Sequence, residues 1–450
     1  MVPPLFSDAR RILLVCAGFL GCVIPCAVGL AQDTPEQLFP SLGTVDTVII
    51  MGNASTKEYV ILNEMSIRPG TSITLPLLEY DRARIYSLGL FTAVDLSLDT
   101  LSERRSLLVL VSERWHYFPV PVIGFRDGDP KKVYYGAGFM HNNFQGRNQK
   151  LYSSLVLGYN PSAQISFREP LIDPEHRLSF STGAAFSRVR NKSEIEAEAT
   201  GDFDELHYDF AAGLGKRLTL FESINLSLTY QVVEVSSHRP LRTVSSSGID
   251  RFFSVTASYG YDSRDLREYP SRGLSFGAAL TKYGLGTSDV NFSRFGSDVR
   301  GYVPLSSLFT LAGRVTGSVV SGGTVPTYAR MYFGYGERIR GYFRTVLEGE
   351  NLLGSSIELR FLLLPVRVFR LPTTLLPDEF TVWQFGMSLA VFADAGTTWF
   401  RGEPLAMDRF LSGYGAGIRF LLPYGVVART EYAFNNYGKG QFILDFRTPF

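Results

Sequence analysis

From Phe118 to the last residue, Phe450, apolar side chains recur at every second position in run after run, and that periodicity permits few folds. Ile224, Leu226, Leu228 and Tyr230 alternate with Asn225, Ser227 and Thr229. Phe253, Val255, Ala257, Tyr259 and Tyr261 alternate with Ser254, Thr256, Ser258 and Gly260, and Leu274, Phe276, Ala278 and Leu280 with Ser275, Gly277, Ala279 and Thr281. Later, Ile357, Leu359 and Phe361 alternate with Glu358 and Arg360. A strand sends successive side chains to opposite faces, so each run has one apolar face and one that is small, polar or charged. Two architectures satisfy the pattern. A soluble sandwich turns the apolar face inward, and a membrane barrel turns it toward lipid.

Both ends of the chain favour the barrel. Arg10 and Arg11 precede an uncharged run from Ile12 to Ala31 that ends in small residues, the pattern of a secretory signal peptide over residues 1–31. An uncleaved anchor and lipid attachment at Cys22 are the alternatives. Cys16, Cys22 and Cys26 all lie in this leader, so the mature chain is expected to use neither disulfides nor thiolate chemistry. The leader takes with it Arg10, Arg11 and Asp8, leaving 42 basic and 42 acidic residues of the original 44 and 43. That neutral balance argues against nucleic acid as a partner. His116, His141, His176, His207 and His238 are scattered singly, without metal-ligand spacing, and no cofactor is expected.

Beyond the leader there is no further long apolar run, and the uncharged stretch Phe380–Ala393 is too short for a spanning helix. With 34 Phe, 23 Tyr and 43 Gly behind an export signal, the composition suits a Gram-negative outer-membrane barrel. At the C-terminus Phe442, Leu444, Phe446 and Phe450 share one face, an apolar stripe that soluble edge strands seldom leave exposed. At about 9–11 residues per spanning strand plus turns and long outer loops, residues 116–450 hold an antiparallel transmembrane barrel of about sixteen strands.

Residues 32–43 read as a linker and residues 44–115 as a separate small unit of order βααββ. Val45–Met51 alternates as a strand. Ser55-Thr56-Lys57-Glu58 has the form of a capping box, predicting a helix to about Ile67. Pro76 suits the first turn of a second helix that stops at Gly89. Ala93–Leu98 and Ser106–Val111 follow as strands.

Three local features bear on function. Glu337-Arg338-Ile339-Arg340-Gly341-Tyr342 follows the glycine-rich aromatic run Tyr332–Gly336; such a loop can fold back and bury an arginine, which then needs a carboxylate. Asp394 is the candidate, because it shares its face with Gly386, Ser388 and Ala390, where small neighbours leave room inside a barrel. Pro119 and Pro121 sit at i and i+2 where the first barrel strand should open. Both lack an N–H, so they weaken one edge twice over, unless they belong to the linker. With Phe446 and Phe450 on the last strand they make a candidate seam. Gly273-Leu274-Ser275-Phe276-Gly277 matches the nucleophile-elbow pattern but lies in an alternating strand, so no enzymatic activity is expected.

The chain resembles the BamA/TamA and two-partner-secretion superfamily, outer-membrane barrels with periplasmic POTRA domains. The likeness is carried by Arg84–Val94, by Gly138-Phe139 through Asn143-Phe144-Gln145-Gly146, by Asp262-Ser263-Arg264-Asp265 with Pro270 and Gly273, and by Phe392–Gly396 together with the Arg-Gly-Tyr loop. It implies that Arg340 is held inside the barrel by Asp394. It also implies an outer-membrane protein assembly, insertion or translocation factor. Its partners would be unfolded outer-membrane or secreted clients, outer-membrane lipid and accessory assembly proteins, with the POTRA-like unit in the periplasm capturing clients by strand addition. A dedicated secretion pore and a passive porin are the alternatives. Ile339 stands where the family usually has valine, and only one POTRA-like unit fits before the barrel.

Overall fold

The computed structural model describes residues 41–99, 105–126, 131–265, 269–286, 289–370, 382–422 and 427–445. The leader, residues 32–40 of the expected linker, and Phe446 and Phe450 lie outside them. Strands β1 (Gly43–Thr44) and β3 (Ser72–Ile73) pair with each other, and β2 (Thr47–Met51), β4 (Phe91–Asp99) and β5 (Ser106–Glu113) form a sheet of order β2-β5-β4. Helices α1 (Glu58–Leu62) and α2 (Leu75–Tyr86) cover one face of it. Val60, Ile61, Met65, Ile67, Ile85 and Leu107 are among the residues of their shared core.

The capping box does not form. Lys57 takes the N-cap position with no side-chain bond, because the Glu113 carboxylate claims the backbone N–H groups of Ser55 (3.1 Å) and Thr56 (2.6 Å). The first helix also ends at Leu62 rather than Ile67. The N–H groups of Ser66 (2.8 Å) and Ile67 (2.9 Å) turn instead to the fully buried Asp81 carboxylate on α2. Pro76 lies in the first turn of α2, as its fixed φ favours.

The rest of the chain forms one antiparallel sheet of sixteen strands: β6 (Tyr117–Phe125), β7 (Val133–Phe144), β8 (Gln149–Gly158), β9 (Ser162–Asp173), β10 (Leu178–Arg190), β11 (Asp204–Arg217), β12 (Glu222–Val235), β13 (Ile249–Asp262), β14 (Gly273–Leu285), β15 (Phe292–Pro304), β16 (Phe309–Gly322), β19 (Asn351–Arg370), β20 (Val382–Trp399), β21 (Leu411–Leu421), β22 (Val427–Asn435) and β23 (Gly440–Asp445). Each strand pairs with its neighbours in that order. Between β16 and β19 a long loop carries the small hairpin β17 (Met331–Phe333) and β18 (Leu347–Gly349).

Exposure settles the sense of the alternation. Leu214 (61%), Leu226, Leu280, Val391 and Phe442 (66%) face outward, whereas Ser388, Asp394, Glu358 and Arg360 are buried inside. A soluble sandwich would show the reverse. Ser275 lies within β14, not at a strand-to-helix turn.

The small unit docks on the turns at the end of the sheet where β6 begins. The Lys57 N–H donates to Gly146 O (2.9 Å) and Asn143 Nδ2 to Thr56 Oγ1 (2.9 Å). Glu64 is gripped from both sides, by Arg84 of α2 (2.8 Å) and by Arg217 of β11 (2.6 and 3.0 Å), and both arginines also donate to Leu220 O (2.9 Å each). Acid is expected to loosen the first of these contacts. Burial works to raise the Glu113 carboxyl, but the donors of Ser55 and Thr56 outweigh it and hold it below the usual carboxylate range. A group whose pKa is lowered by folding stabilises above its ordinary range and loses that contribution as pH falls through it. The fluorescence of Trp115, two residues on, should therefore report a junction that weakens below the ordinary glutamate range. Glu113→Gln should flatten that pH dependence.

Candidate functional site

The loop between β16 and β19 turns back into the interior. Its backbone passes so close to the wall that side chains are excluded at two points. Gly341 has φ of 95°, and a Cβ there would lie 2.6 Å from Phe434 O. A Cβ on Gly413 of β21 would lie 1.7 Å from Arg340 O. Phe333, Ile339, Tyr342 and Leu352 pack together and seat the loop.

Arg340 is 3% exposed and all of its donors are used. Its Nε and Nη2 grip the two Asp394 oxygens (2.7 and 2.6 Å), and its backbone N–H adds a third bond to the same carboxylate (3.0 Å). Nη1 reaches Glu358 and Glu431 (3.1 Å each), and Nη2 also reaches Ser356 Oγ (2.9 Å). The Phe392 ring lies against the guanidinium at 3.6 Å. The expected Arg340–Asp394 pairing is thus present, within a larger cluster that the sequence did not reveal.

Glu358, with no exposed side-chain area, also accepts from Arg360 (2.6 Å) and Arg419. Arg429 lies 3.3 Å from Glu431 and donates to Asp445 of β23 (2.8 Å). Charges buried at this depth persist only when paired and hydrogen-bonded, so the cluster holds its members mutually in place. From the other end, Arg360 donates to Pro270 O (3.1 Å), and the Tyr269 hydroxyl bonds Ser388. The turn after Asp262-Ser263-Arg264, itself fixed by the Asp262–Arg264 fork (2.8 and 2.9 Å), therefore reaches the same cluster as the Arg-Gly-Tyr loop.

The loop also holds the terminal hairpin. The Tyr342 hydroxyl bonds Asn436, the Phe343 N–H donates to Gln441 Oε1 (3.0 Å), and Phe343 packs against Phe392, Ala433 and Ile443.

Among the described residues, strands β6 and β23 are the two edges of the sheet. Pro119 and Pro121 lie in β6, not in the linker, opposite Phe139 and Ala137. The direction of their missing donors follows from the ladder. The Asn142 N–H donates to His116 O (2.6 Å) and the Arg126 N–H to Lys132 O (2.9 Å), with no register shift between. Even-numbered residues of β6 thus bond β7, and odd-numbered residues face away. Pro119 and Pro121 both point their vacant N–H positions at the free edge.

Residues 143–446 match the Omp85 superfamily domain and residues 43–114 match the surface antigen variable number repeat, the POTRA unit. The chain belongs to the Omp85 superfamily. Its sixteen-stranded sheet is the superfamily's barrel, and its small unit a POTRA domain. Two curated relatives, both named outer membrane protein assembly factor BamA, are 25% identical. The one from Nitratidesulfovibrio vulgaris aligns over 66% of this chain and 37% of its own length, and the one from Neorickettsia risticii over 90% and 54%. The chain thus spans about half or less of the curated relatives it matches. Among solved structures, BamA from Haemophilus ducreyi lacking POTRA domains 1–3 shares the fold with a TM-score of 0.55 at 17% identity, covering 89% of this chain and 83% of that one. CdiB from Escherichia coli gives 0.54 at 10% identity, covering 100% and 98%.

Proposed function

We propose that this Omp85 protein sits in the outer membrane and assembles, inserts or translocates other proteins there without hydrolysing a nucleotide. One observation carries the reading: a loop buried through Arg340 grips the terminal hairpin, while the opposite edge of the sheet lacks two N–H donors. Pairing across those edges is weaker than elsewhere in the sheet, so they can part and let a client strand pair with an exposed edge. The Arg-Gly-Tyr loop positions β22 and β23 for that exchange. The POTRA domain presents β2 and β4 as the outer strands of its sheet, and main-chain bonding to either tolerates many client sequences.

A dedicated secretion pore is the second reading. Midway along β10 to β14 the inward positions include Ser181, Gly213, Ser227, Thr256 and Ala279, a stretch of small and hydroxyl side chains along which an extended chain can pass. Depletion of the protein followed by quantification of the outer-membrane proteome separates the two. Loss of many barrel proteins, several-fold each, is expected for an assembly factor, and loss of one secreted product for a pore. An unchanged outer membrane and secretome would refute both.

A further inference from the structure

Along the outward face, bulky side chains are interrupted where β12 to β15 approach the POTRA end. Cross-strand register explains the gap. One row runs Leu214, Leu226, Ala257, Leu280, Phe295, and the next runs Lys216, Ile224, Tyr259, Ala278. Ala257 and Ala278 are diagonal neighbours, and the missing bulk leaves an apolar groove of about 550 Å³ walled by leucine, isoleucine and phenylalanine. That volume lies within the roughly 300–1,000 Å³ typical of small-molecule sites.

The mouth of the groove is charged in a particular way. Lys216 lines it, is exposed, and has no ion pair or hydrogen-bonded side-chain partner among the described residues. Ile224 lies directly across from Lys216, so Glu222, two residues earlier on the same face, is its diagonal neighbour, about 7–8 Å away. One Glu222 oxygen accepts from the Tyr259 hydroxyl (2.7 Å), which fixes the carboxylate at the rim of the groove. A cation and an anion thus stand side by side, unpaired with each other, below an apolar trough on a lipid-facing wall.

We infer that this groove is a site for a glycerophospholipid with a phosphoethanolamine headgroup. Lys216 takes the phosphate, Glu222 takes the primary ammonium, and an acyl chain lies over Ala257 and Ala278. A headgroup with a phosphate but no cation would meet Glu222 as a repulsive neighbour. A quaternary ammonium has no N–H to donate to it. The site adjoins Arg217 and Leu220, where the POTRA domain docks, so the bound lipid braces that turn. The inference rests on the proposed membrane location but not on any client-handling role.

Native mass spectrometry of the full chain, folded in detergent and checked by heat-modifiable mobility, tests it. The probes are phosphatidylethanolamine, phosphatidylglycerol and phosphatidylcholine with identical acyl chains. The wild type should retain one phosphatidylethanolamine roughly tenfold better than the other two. Lys216→Gln should abolish that preference, and Glu222→Gln should shift it toward phosphatidylglycerol. Ala278→Phe, which fills the groove while adding only apolar surface to the lipid face, should lower retention of all three, with Ala257→Phe as the alternative filling. Equal retention of the three lipids by the wild type, a preference for phosphatidylglycerol, or retention unaffected by the filling variants would overturn the inference. Client-assembly assays on the same variants are read separately, so failure of the lipid site leaves the proposed function standing, and the converse.

Discussion

Arg340→Ala is expected to abolish client assembly or secretion while leaving the barrel folded and inserted. The side chain joins the Arg-Gly-Tyr loop to Asp394, Glu358 and Glu431 at once. Its removal leaves three buried carboxylates that have lost a cation. Breaking a buried pair from one side costs about 3–5 kcal/mol. That falls on the docking of the loop rather than on the sixteen-stranded ladder, whose backbone bonds are untouched. At about 1.4 kcal/mol per tenfold, the docked loop becomes at least roughly a hundredfold less populated. Arg340→Lys should rescue little. An ammonium cannot place two parallel donors on Asp394 and a third on Glu358 and Glu431, nor lie flat against Phe392. Protease accessibility of residues 334–343, heat-modifiable mobility and the abundance of client proteins would be measured together. Wild-type client levels in Arg340→Ala would refute a working role for the loop. Loss of the folded barrel would show that the cluster serves stability alone.

The architecture was legible because its two periodicities are distinct. Period-two runs with small inward residues give the strands and their approximate number, and Pro76 gives the start of α2. The first helix was misread because a capping box is a local signal. Glu113 and Asp81 are distant in sequence, and only in the fold do they reach the N–H groups of Ser55 and Thr56 and of Ser66 and Ile67 respectively. The site was legible in part for a similar reason. Asp394 stood out by its small neighbours Gly386, Ser388 and Ala390 and by a motif resemblance. Glu358 and Arg360 were visible as charges in an alternating strand, but inward charges are ordinary in a water-lined barrel. Nothing in the sequence says that Glu358 and Glu431, on two different strands, join Asp394 on the Arg340 guanidinium, or that Arg419 bonds the same two glutamates. The direction of the Pro119 and Pro121 vacancies likewise needed the β6–β7 register, which a sequence does not carry.

The largest loss of stability is expected from Glu358→Gln. Glu358 sits at the centre of the cluster, taking bonds from Arg340, Arg360 and Arg419, and its side chain has no contact with water. Around it, Arg340, Arg360, Arg419 and Arg429 face Asp394, Glu358, Glu431 and Asp445. Glutamine keeps the shape and one acceptor oxygen but turns a balanced cluster into one with an excess positive charge, in a place where solvent cannot screen it. The cost should be about 3–5 kcal/mol, read as a lower denaturant midpoint for the folded barrel in detergent. Asp445→Asn is the control. Its carboxylate is 22% exposed and pairs with Arg429 at the solvent-side margin of the cluster, so its loss should cost about 1 kcal/mol or less. Adding Arg419→Met to Glu358→Gln removes the excess charge and should restore part of the lost stability. The two changes would then be non-additive, as contacting groups are. Additive effects, or a Glu358→Gln barrel as stable as Asp445→Asn, would mean that water reaches the cluster and that the loop is held by packing of Phe333, Ile339 and Tyr342 rather than by charge.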